Sequence, residues 1–259
     1  MAGTRRENWL KTWFRPGPGD EAVVPVLAQV AGGLLLTGRH ALWEFYDDFN
    51  ELITPAAGVM GWHLDESGTS TAISLVDQAY GVATAKSGAS AGNNFQYQWA
   101  LNTTVHEPVK LVAGKKAWLA TRFKIEDADQ NLPRIGCHNA TDDPWNAEET
   151  DQFQFRTLAA DADALQFACG KTASTEVTIA LGDLADDTYI RLLAYYDGGG
   201  TVWAFRYDDS GNLTNSGSAD VSAGTLLPDT EMTIAFGNEA VDTGADDFHI
   251  DYIYVAVER

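Results

Sequence analysis

The last dozen residues, 246–257, constrain this chain more than any other stretch. Asp246-Asp247-Phe248-His249-Ile250-Asp251-Tyr252-Ile253-Tyr254-Val255-Ala256-Val257 is rich in β-branched and aromatic residues and stops two residues short of the C-terminus. Such side chains fit the pleated, half-buried surface of a sheet. A chain that closes this way is expected to stitch its end into the middle of a sheet, with a β-sandwich as the body.

The pattern upstream agrees. From Leu42 onward the hydrophobic period is two, the repeat of a strand with one face buried and one wet. Phe95, Tyr97 and Trp99 alternate with Gln96 and Gln98; Phe153 and Phe155 alternate with Gln152, Gln154 and Arg156. Residues 119–125 form another strand, and Met232, Ile234 and Phe236 alternate in a later one. Residues 189–196 and 201–207 flank Asp197-Gly198-Gly199-Gly200, a hairpin signal whose glycines can take positive φ. After residue 42 there is no helix-period run of useful length and no repeat. Roughly a dozen antiparallel strands in two sheets fit this pattern.

At 259 residues the chain can bury a substantial core in one domain. Its formal charge is −20, unevenly spread. Residues 1–15 carry Arg5, Arg6, Lys11 and Arg15 against Glu7, a net +3, which leaves −23 on the remainder. A field of that sign repels nucleic acid and opposes docking on anionic lipid, so neither nucleic acid nor membrane is expected as a partner. The apolar stretch 22–36 holds Pro25, Gln29, Gly32 and Gly33, is too short to span a bilayer as a helix, and follows Asp20 and Glu21, the wrong flank for a signal peptide. Cys137 and Cys169 make no disulfide framework. Cys169 alternates with Leu165 and Phe167, so it points inward as a small hydrophobe; a bridge between the two cysteines stays open.

Four stretches resemble a known sandwich. Glu44-Phe45-Tyr46-Asp47-Asp48-Phe49 looks like its opening strand, and Trp118-Leu119-Ala120-Thr121-Arg122-Phe123-Lys124 like a central strand. Asp187-Thr188-Tyr189-Ile190-Arg191-Leu192 looks like the start of a crossing pair, and Phe248-His249-Ile250-Asp251-Tyr252-Ile253-Tyr254-Val255 like the closing strand. Together they resemble the concanavalin A-like jelly roll of lectins and glucanases. The resemblance implies an all-β, antiparallel two-sheet jelly-roll sandwich over 42–259, preceded by an extended N-terminal arm (1–15) and a Pro/Gly and apolar connector (16–41). The mix of basic arm, glycine-rich connector and acidic sandwich also resembles, in style rather than motif, structural proteins of tailed bacteriophages, some of which decorate the head.

Candidate chemistry is sparse. Sandwich glucanases that retain configuration carry three carboxylates on one strand, where alternate residues face the sugar together. Glu149 and Asp151 fit the first two positions, but residues 153 and 154 are Phe and Gln, so the proton donor is missing. No catalytic residue is expected. The pairs Asp142-Asp143, Asp186-Asp187, Asp208-Asp209 and Asp246-Asp247 offer calcium-type oxygens without a full ligand spacing, and the last but one reads as a turn with Ser210, Gly211 and Asn212. The five histidines form no zinc pattern. No cofactor or metal site is expected, a structural calcium being the one ion such pairs suit. Trp62, Trp145 and Asn146 lie in or beside expected loops, where they either stack on a sugar ring or seal the end of the core.

The arm is the sharpest functional feature. Arg5, Arg6, Trp9, Lys11, Trp13, Phe14 and Arg15 form a basic, aromatic ligand, with Leu10, Trp13 and Phe14 at helical spacing, cut off by Pro16-Gly17-Pro18-Gly19. Arg and Trp dominate protein–protein hot spots, and two Trp and a Phe are unusual in a disordered tail. The expected function is therefore a non-enzymatic virion structural protein, a capsid decoration or minor head protein made in the bacterial host cytoplasm. The arm would anchor it to the major capsid protein or to neighbouring copies in a homo-oligomer. The alternative is a lectin-like carbohydrate-binding module (less readily a glycoside hydrolase) on a tail or head fibre, with surface glycans as partners.

Overall fold

The computed structural model describes residues 42–49, 60–68, 70, 73–77, 81–101, 104–139, 151–171, 175–243 and 246–259. The arm, the connector, Trp145 and Asn146 lie outside them. The described strands are β1 (Leu42–Asp47), β2 (Met60–Ser67), β3 (Ser74–Asp77), β4 (Val82–Lys86), β5 (Asn94–Leu101), β6 (Thr104–Val105), β7 (Ala117–Ile125) and β8 (Asn131–His138). The second half supplies β9 (Gln152–Leu158), β10 (Asp161–Gly170), β11 (Glu176–Asp183), β12 (Ile190–Tyr196), β13 (Thr201–Asp208), β14 (Leu213–Asp220), β15 (Thr233–Ala240) and β16 (Asp247–Glu258). No helix occurs among the described residues.

Two eight-stranded sheets result. Sheet I runs β14-β13-β12-β7-β16-β4-β3, with β1 also on β16; sheet II runs β11-β10-β9-β8-β15-β5-β2, with β6 on β5. Adjacent strands pair antiparallel throughout, as in β16 with β7 and β15 with β8. The protein is an all-β sandwich, as the alternation predicts. The closing strand is central: β7 takes one edge, while β4 pairs with residues 247–250 and β1 with residues 253–258 along the other.

That strand also departs from simple alternation. Its register with β7 slips between Ile250 and Tyr252, leaving Asp251 as a bulged residue. Phe248 and Ile250 therefore face the inter-sheet core together with Ile253, Val255 and Val257, while Tyr252, Tyr254 and Ala256 turn to the outer face. Strict period two would have put both tyrosines inside. Asp251 uses its displaced position to accept from Arg122 at 2.8 Å.

The main core fills the space between the sheets with Phe95, Phe123, Phe153, Phe155, Phe167, Phe236 and Phe248, all buried. Each such ring contributes about 1.5–3 kcal/mol relative to exposure. Their quadrupoles settle the packing: Phe153 meets Phe167 edge-on at 4.9 Å, and Phe236 stacks on Phe248 at 6.1 Å. Cys137 and Cys169 are free and buried, each opposite Phe153 in the register. Two strand spacings, about 9.6 Å, separate them, beyond disulfide reach. Burial pushes both thiols above the ordinary cysteine range. The hairpin at residues 197–200 forms as read, with Gly198 at φ 77° and the Asp197 carboxylate accepting from the backbone N–H of Gly199 and Thr201.

Candidate functional site

Sheet II has an unusual outer face. Because Phe153, Phe155, Ile135, Cys137, Ile234, Phe236, Phe95 and Tyr97 point into the core, the residues between them point outward. Across neighbouring strands one row reads Ala168, Gln154, Gly136, Ala235, Gln98 and His63, and the next reads Gln166, Arg156, Arg134, Gly237, Gln96 and Asp65. The alternation suggests that these glutamines are wet. They are not: Gln98, Gln152 and Gln154 are 0% exposed and Gln96 2%.

Their polar groups are satisfied largely by one another, the condition for burying them at all. On one flank Gln98 Nε2 donates to Asp65 Oδ2 at 2.5 Å, with His63 Nε2 3.5 Å from Asp65 Oδ1. On the other, Gln152 Nε2 donates to Glu176 Oε2 at 2.6 Å, while Gln152 Oε1 accepts from Gln154 Nε2 and from Arg156, each at 2.9 Å. Arg156 also pairs with the second oxygen of Glu176. Between the flanks lie the small residues Gly136, Ala235 and Gly237, with Arg134 beside them on β8. Gly136 is obligatory: a Cβ there would sit 2.6 Å from Gln154 Cα and from Phe153 O. The two glutamine-bearing strands β5 and β9 stand three strand spacings apart, about 14 Å.

Several side-chain atoms of this face are buried without a hydrogen-bond partner among the described residues, and two of them are donors on paired positions. Arg156 Nε and Gln166 Nε2 are buried without a hydrogen-bond partner, and their residues are cross-strand neighbours. The face thus presents fixed planar amides, a guanidinium and carboxylates, groups that pair with hydroxyls able to donate and accept at once. Asp65 on β2 and Glu176 on β11 are six strand spacings apart, about 29 Å, whereas glycosidase carboxylates stand about 5–9.5 Å apart.

The sequence-derived candidates fall elsewhere. Trp62 is a correction: it is 4% exposed and packs against Phe45, Phe49, Trp99 and Phe236 at 4.8–5.9 Å, while its Nε1 donates to Asp47 Oδ2 at 2.7 Å. No ring face is left to stack on a sugar; the indole seals the core. Asp151 is a staple: its carboxylate accepts from the backbone N–H of Asp229 and Thr230 and from the Thr230 hydroxyl. Glu149, Trp145, Asn146 and the arm residues lie outside the described residues.

Of the aspartate pairs, Asp142-Asp143 lies outside the described residues and members of the other three are spent separately. Asp208 accepts from Asn212 N and Nδ2 at 2.8 Å, which lowers its pKa and makes the turn the sequence suggests. Asp186 accepts from Ala128 N, Asp187 binds Lys124, and Asp246 accepts from Asn131. Among the described residues no group of three or more His, Cys, Asp or Glu is placed to hold a metal ion. The outer-face lattice was missed in the sequence because period-two glutamines look like a solvated face; the signal was the placement of glycine and alanine on strands between them.

No protein-family model matches the chain, and no curated protein matches it significantly. Solved structures do. A Shewanella oneidensis MR-1 protein of unknown function is similar over 95% of this chain and 97% of its own, with 16% identity and a TM-score of 0.55. Peanut lectin, solved with a nine-residue peptide, is similar over 84% and 97%, with 12% identity and a TM-score of 0.54. The CBM2 module of an evolved Dit from Lactobacillus casei BL23 phage J-1 is similar over 84% and 96%, with 13% identity and a TM-score of 0.50. At these identities the likeness is one of fold: this sandwich is the jelly roll of the legume lectins.

Proposed function

We propose that this chain is a non-enzymatic, lectin-like carbohydrate-binding protein carried on a phage particle, with the β9–β10 end of the outer face of sheet II, where Gln166 is partly exposed, as its sugar-binding surface. One observation carries the reading: Arg156 Nε and Gln166 Nε2, on paired positions of β9 and β10, are buried donors with no hydrogen-bond acceptor among the described residues. A buried donor left unpaired costs about 1–3 kcal/mol, which a ligand hydroxyl or ring oxygen would recover. The particle assignment draws support from the phage Dit module among the structural neighbours.

A second reading, a head-decoration protein, is favoured by the charge contrast between residues 1–15 at +3 and the rest at −23. An arm of that sign can lie across the acidic surface of a neighbouring copy or of another virion protein. Both readings place Arg5, Arg6, Trp9, Lys11, Trp13, Phe14 and Arg15 at the anchoring contact, and they differ in what the sandwich does.

A polysaccharide pull-down and glycan array with the full chain and Gln166→Leu separates them. Retention of a glycan by the wild type and its loss in the folded variant supports the sugar-binding face. Absence of retention, or equal retention by both, refutes it. Deleting residues 1–19 should abolish incorporation into particles while leaving the β circular dichroism intact; continued incorporation refutes the anchor.

A further inference from the structure

A second site lies at the seam where the sandwich closes. The edge strands β11 of sheet II and β14 of sheet I approach so closely that a Cβ on Gly217 would lie 2.5 Å from Ile179 Cγ2. A few residues further on, both strands bulge. The β10–β11 register skips Leu181, and the β13–β14 register skips Thr214. Bulges re-aim side chains and recur beside functional sites. Here the two face one another and open a cavity of about 330 Å³ lined by Leu181, Gly182, Tyr189, Arg206, Thr214 and Asn215 among others. That volume is at the lower end of the range for small-molecule pockets, about 300–1,000 Å³.

The donors in this cavity converge. Arg206 donates to the carbonyl of Leu181, the residue the bulge leaves out of register, at 3.0 Å. This one bond fixes the guanidinium and leaves further N–H groups of its five. Asn215 Oδ1 accepts from the Ser216 backbone at 2.8 Å, which turns its amide Nδ2 the other way. Gly182, at φ 77°, supplies the space between them: a Cβ there would lie 3.4 Å from Asn215 Nδ2 and 3.5 Å from Arg206 Nη1. Among the described residues Arg206 has no ion-pair partner, and Asp183 acts on it only through space. In a chain of charge −20, a guanidinium without an ion-pair partner among the described residues is a group suited to an anion. Asp208, also on the wall, is a carboxylate held by the backbone N–H and side-chain amide of Asn212, with lone pairs left to accept from a ligand hydroxyl.

We infer that this seam cavity binds a hydroxylated carboxylate of monosaccharide size, a uronic-acid unit, with its carboxylate between Arg206 and Asn215 and a ring hydroxyl donating toward Asp208. The ligand class rests on the carbohydrate reading above; the site does not, since it lies at the seam, apart from the outer face of sheet II.

The test is a titration of isotope-labelled full-length protein, by amide chemical shifts and calorimetry, with glucuronate, glucose and acetate. Glucuronate should saturate shifts at Gly182 and Asn215, with glucose and acetate at least tenfold weaker. Arg206→Gln should weaken glucuronate about tenfold to a hundredfold, the effect of losing a charged hydrogen bond, and Arg206→Lys less. Should Arg206→Gln fail to fold, the exposed Asn215→Asp carries the test, because it sets a like charge beside the ligand carboxylate. No binding by the wild type, binding unaltered in Asn215→Asp, or acetate binding as tightly as glucuronate overturns the inference. Glucuronate binding that persists in Gln166→Leu supports the seam site whatever the outer face does, and glycan retention through Gln166 with no response to glucuronate defeats the seam site alone.

Discussion

Trp62 offers the sharpest test of the packing argument, since the sequence leaves it open between a sugar platform and a core plug and the structure places it in the core. The change to make is Trp62→Phe. It keeps an aromatic ring against Phe45, Trp99 and Phe236 but removes the Nε1 donor that reaches Asp47 Oδ2 at 2.7 Å. Asp47 then retains the Phe49 backbone N–H at 2.8 Å and loses its charged side-chain bond. Loss of such a bond is worth about 1.5–3 kcal/mol, and the smaller ring adds part of a cavity cost. The expected destabilisation is about 2–4 kcal/mol, or about 5–15 °C in Tm for a chain of this length. The pH dependence identifies the mechanism. Burial already raises the Asp47 pKa, against the lowering effect of the Trp62 bond. Without that bond it rises further, so the penalty of Trp62→Phe should be full where Asp47 is ionised and shrink in acid as it protonates. Thermal unfolding by near-ultraviolet circular dichroism across pH 4–8, with Asp47→Asn in a double-mutant cycle, measures the coupling. A penalty under about 1 kcal/mol with loss of glycan retention would refute the core assignment.

Two further predictions follow from the sheets. Gly136→Ala should cost about 3 kcal/mol or more, because the added methyl meets the β9 backbone and φ is 151°; a urea midpoint within error of the wild type would show that β8 and β9 separate easily. Burial and Lys124 lower the His249 pKa, against the raising effects of Asp247, Asp187 and Glu126. The unfolded chain therefore takes the proton first, so this contribution to stability is complete above the ordinary value near 6.5 and is lost as pH falls toward the lower folded value. His249→Gln should flatten that part of the acid limb in a melting series, and an unchanged slope would assign it to other groups.

What was legible in the sequence was what local pattern controls. The strand at 248–257 and the turn at residues 197–200 declare themselves because aromatic, β-branched and glycine residues have strong conformational preferences. What was not legible depends on pairing between distant residues. Nothing local to Asp251 announces a bulge, yet that one residue decides whether Tyr252 and Tyr254 face the core. Trp62 reaches its partner Asp47 across 15 positions and Asn131 reaches Asn238 across 107. The seam cavity requires two bulges on strands of different sheets to meet. Each is a tertiary outcome in which packing overrides period.

The outer face of sheet II makes the functional argument independent of any likeness. A sandwich of this kind closes its core with the inner faces alone, and small polar or charged residues in water would finish the outer one at little cost. This chain instead buries Gln96, Gln98, Gln152, Gln154 and Arg156 there. Replacing a buried ionic cluster by apolar groups of similar volume is often neutral or stabilising, so Arg156 with Glu176 is a poor device for stability. On the proposed carbohydrate-binding reading its merit is geometric: planar groups bonded to one another hold fixed directions, which discrimination between sugar epimers needs. If selection had acted on stability alone, Arg156→Met combined with Glu176→Leu and Gln152→Leu, which removes the amide these two hold, would be no worse folded and no worse at retaining glycan. The expectation is a triple variant that melts at or above the wild-type temperature and retains none.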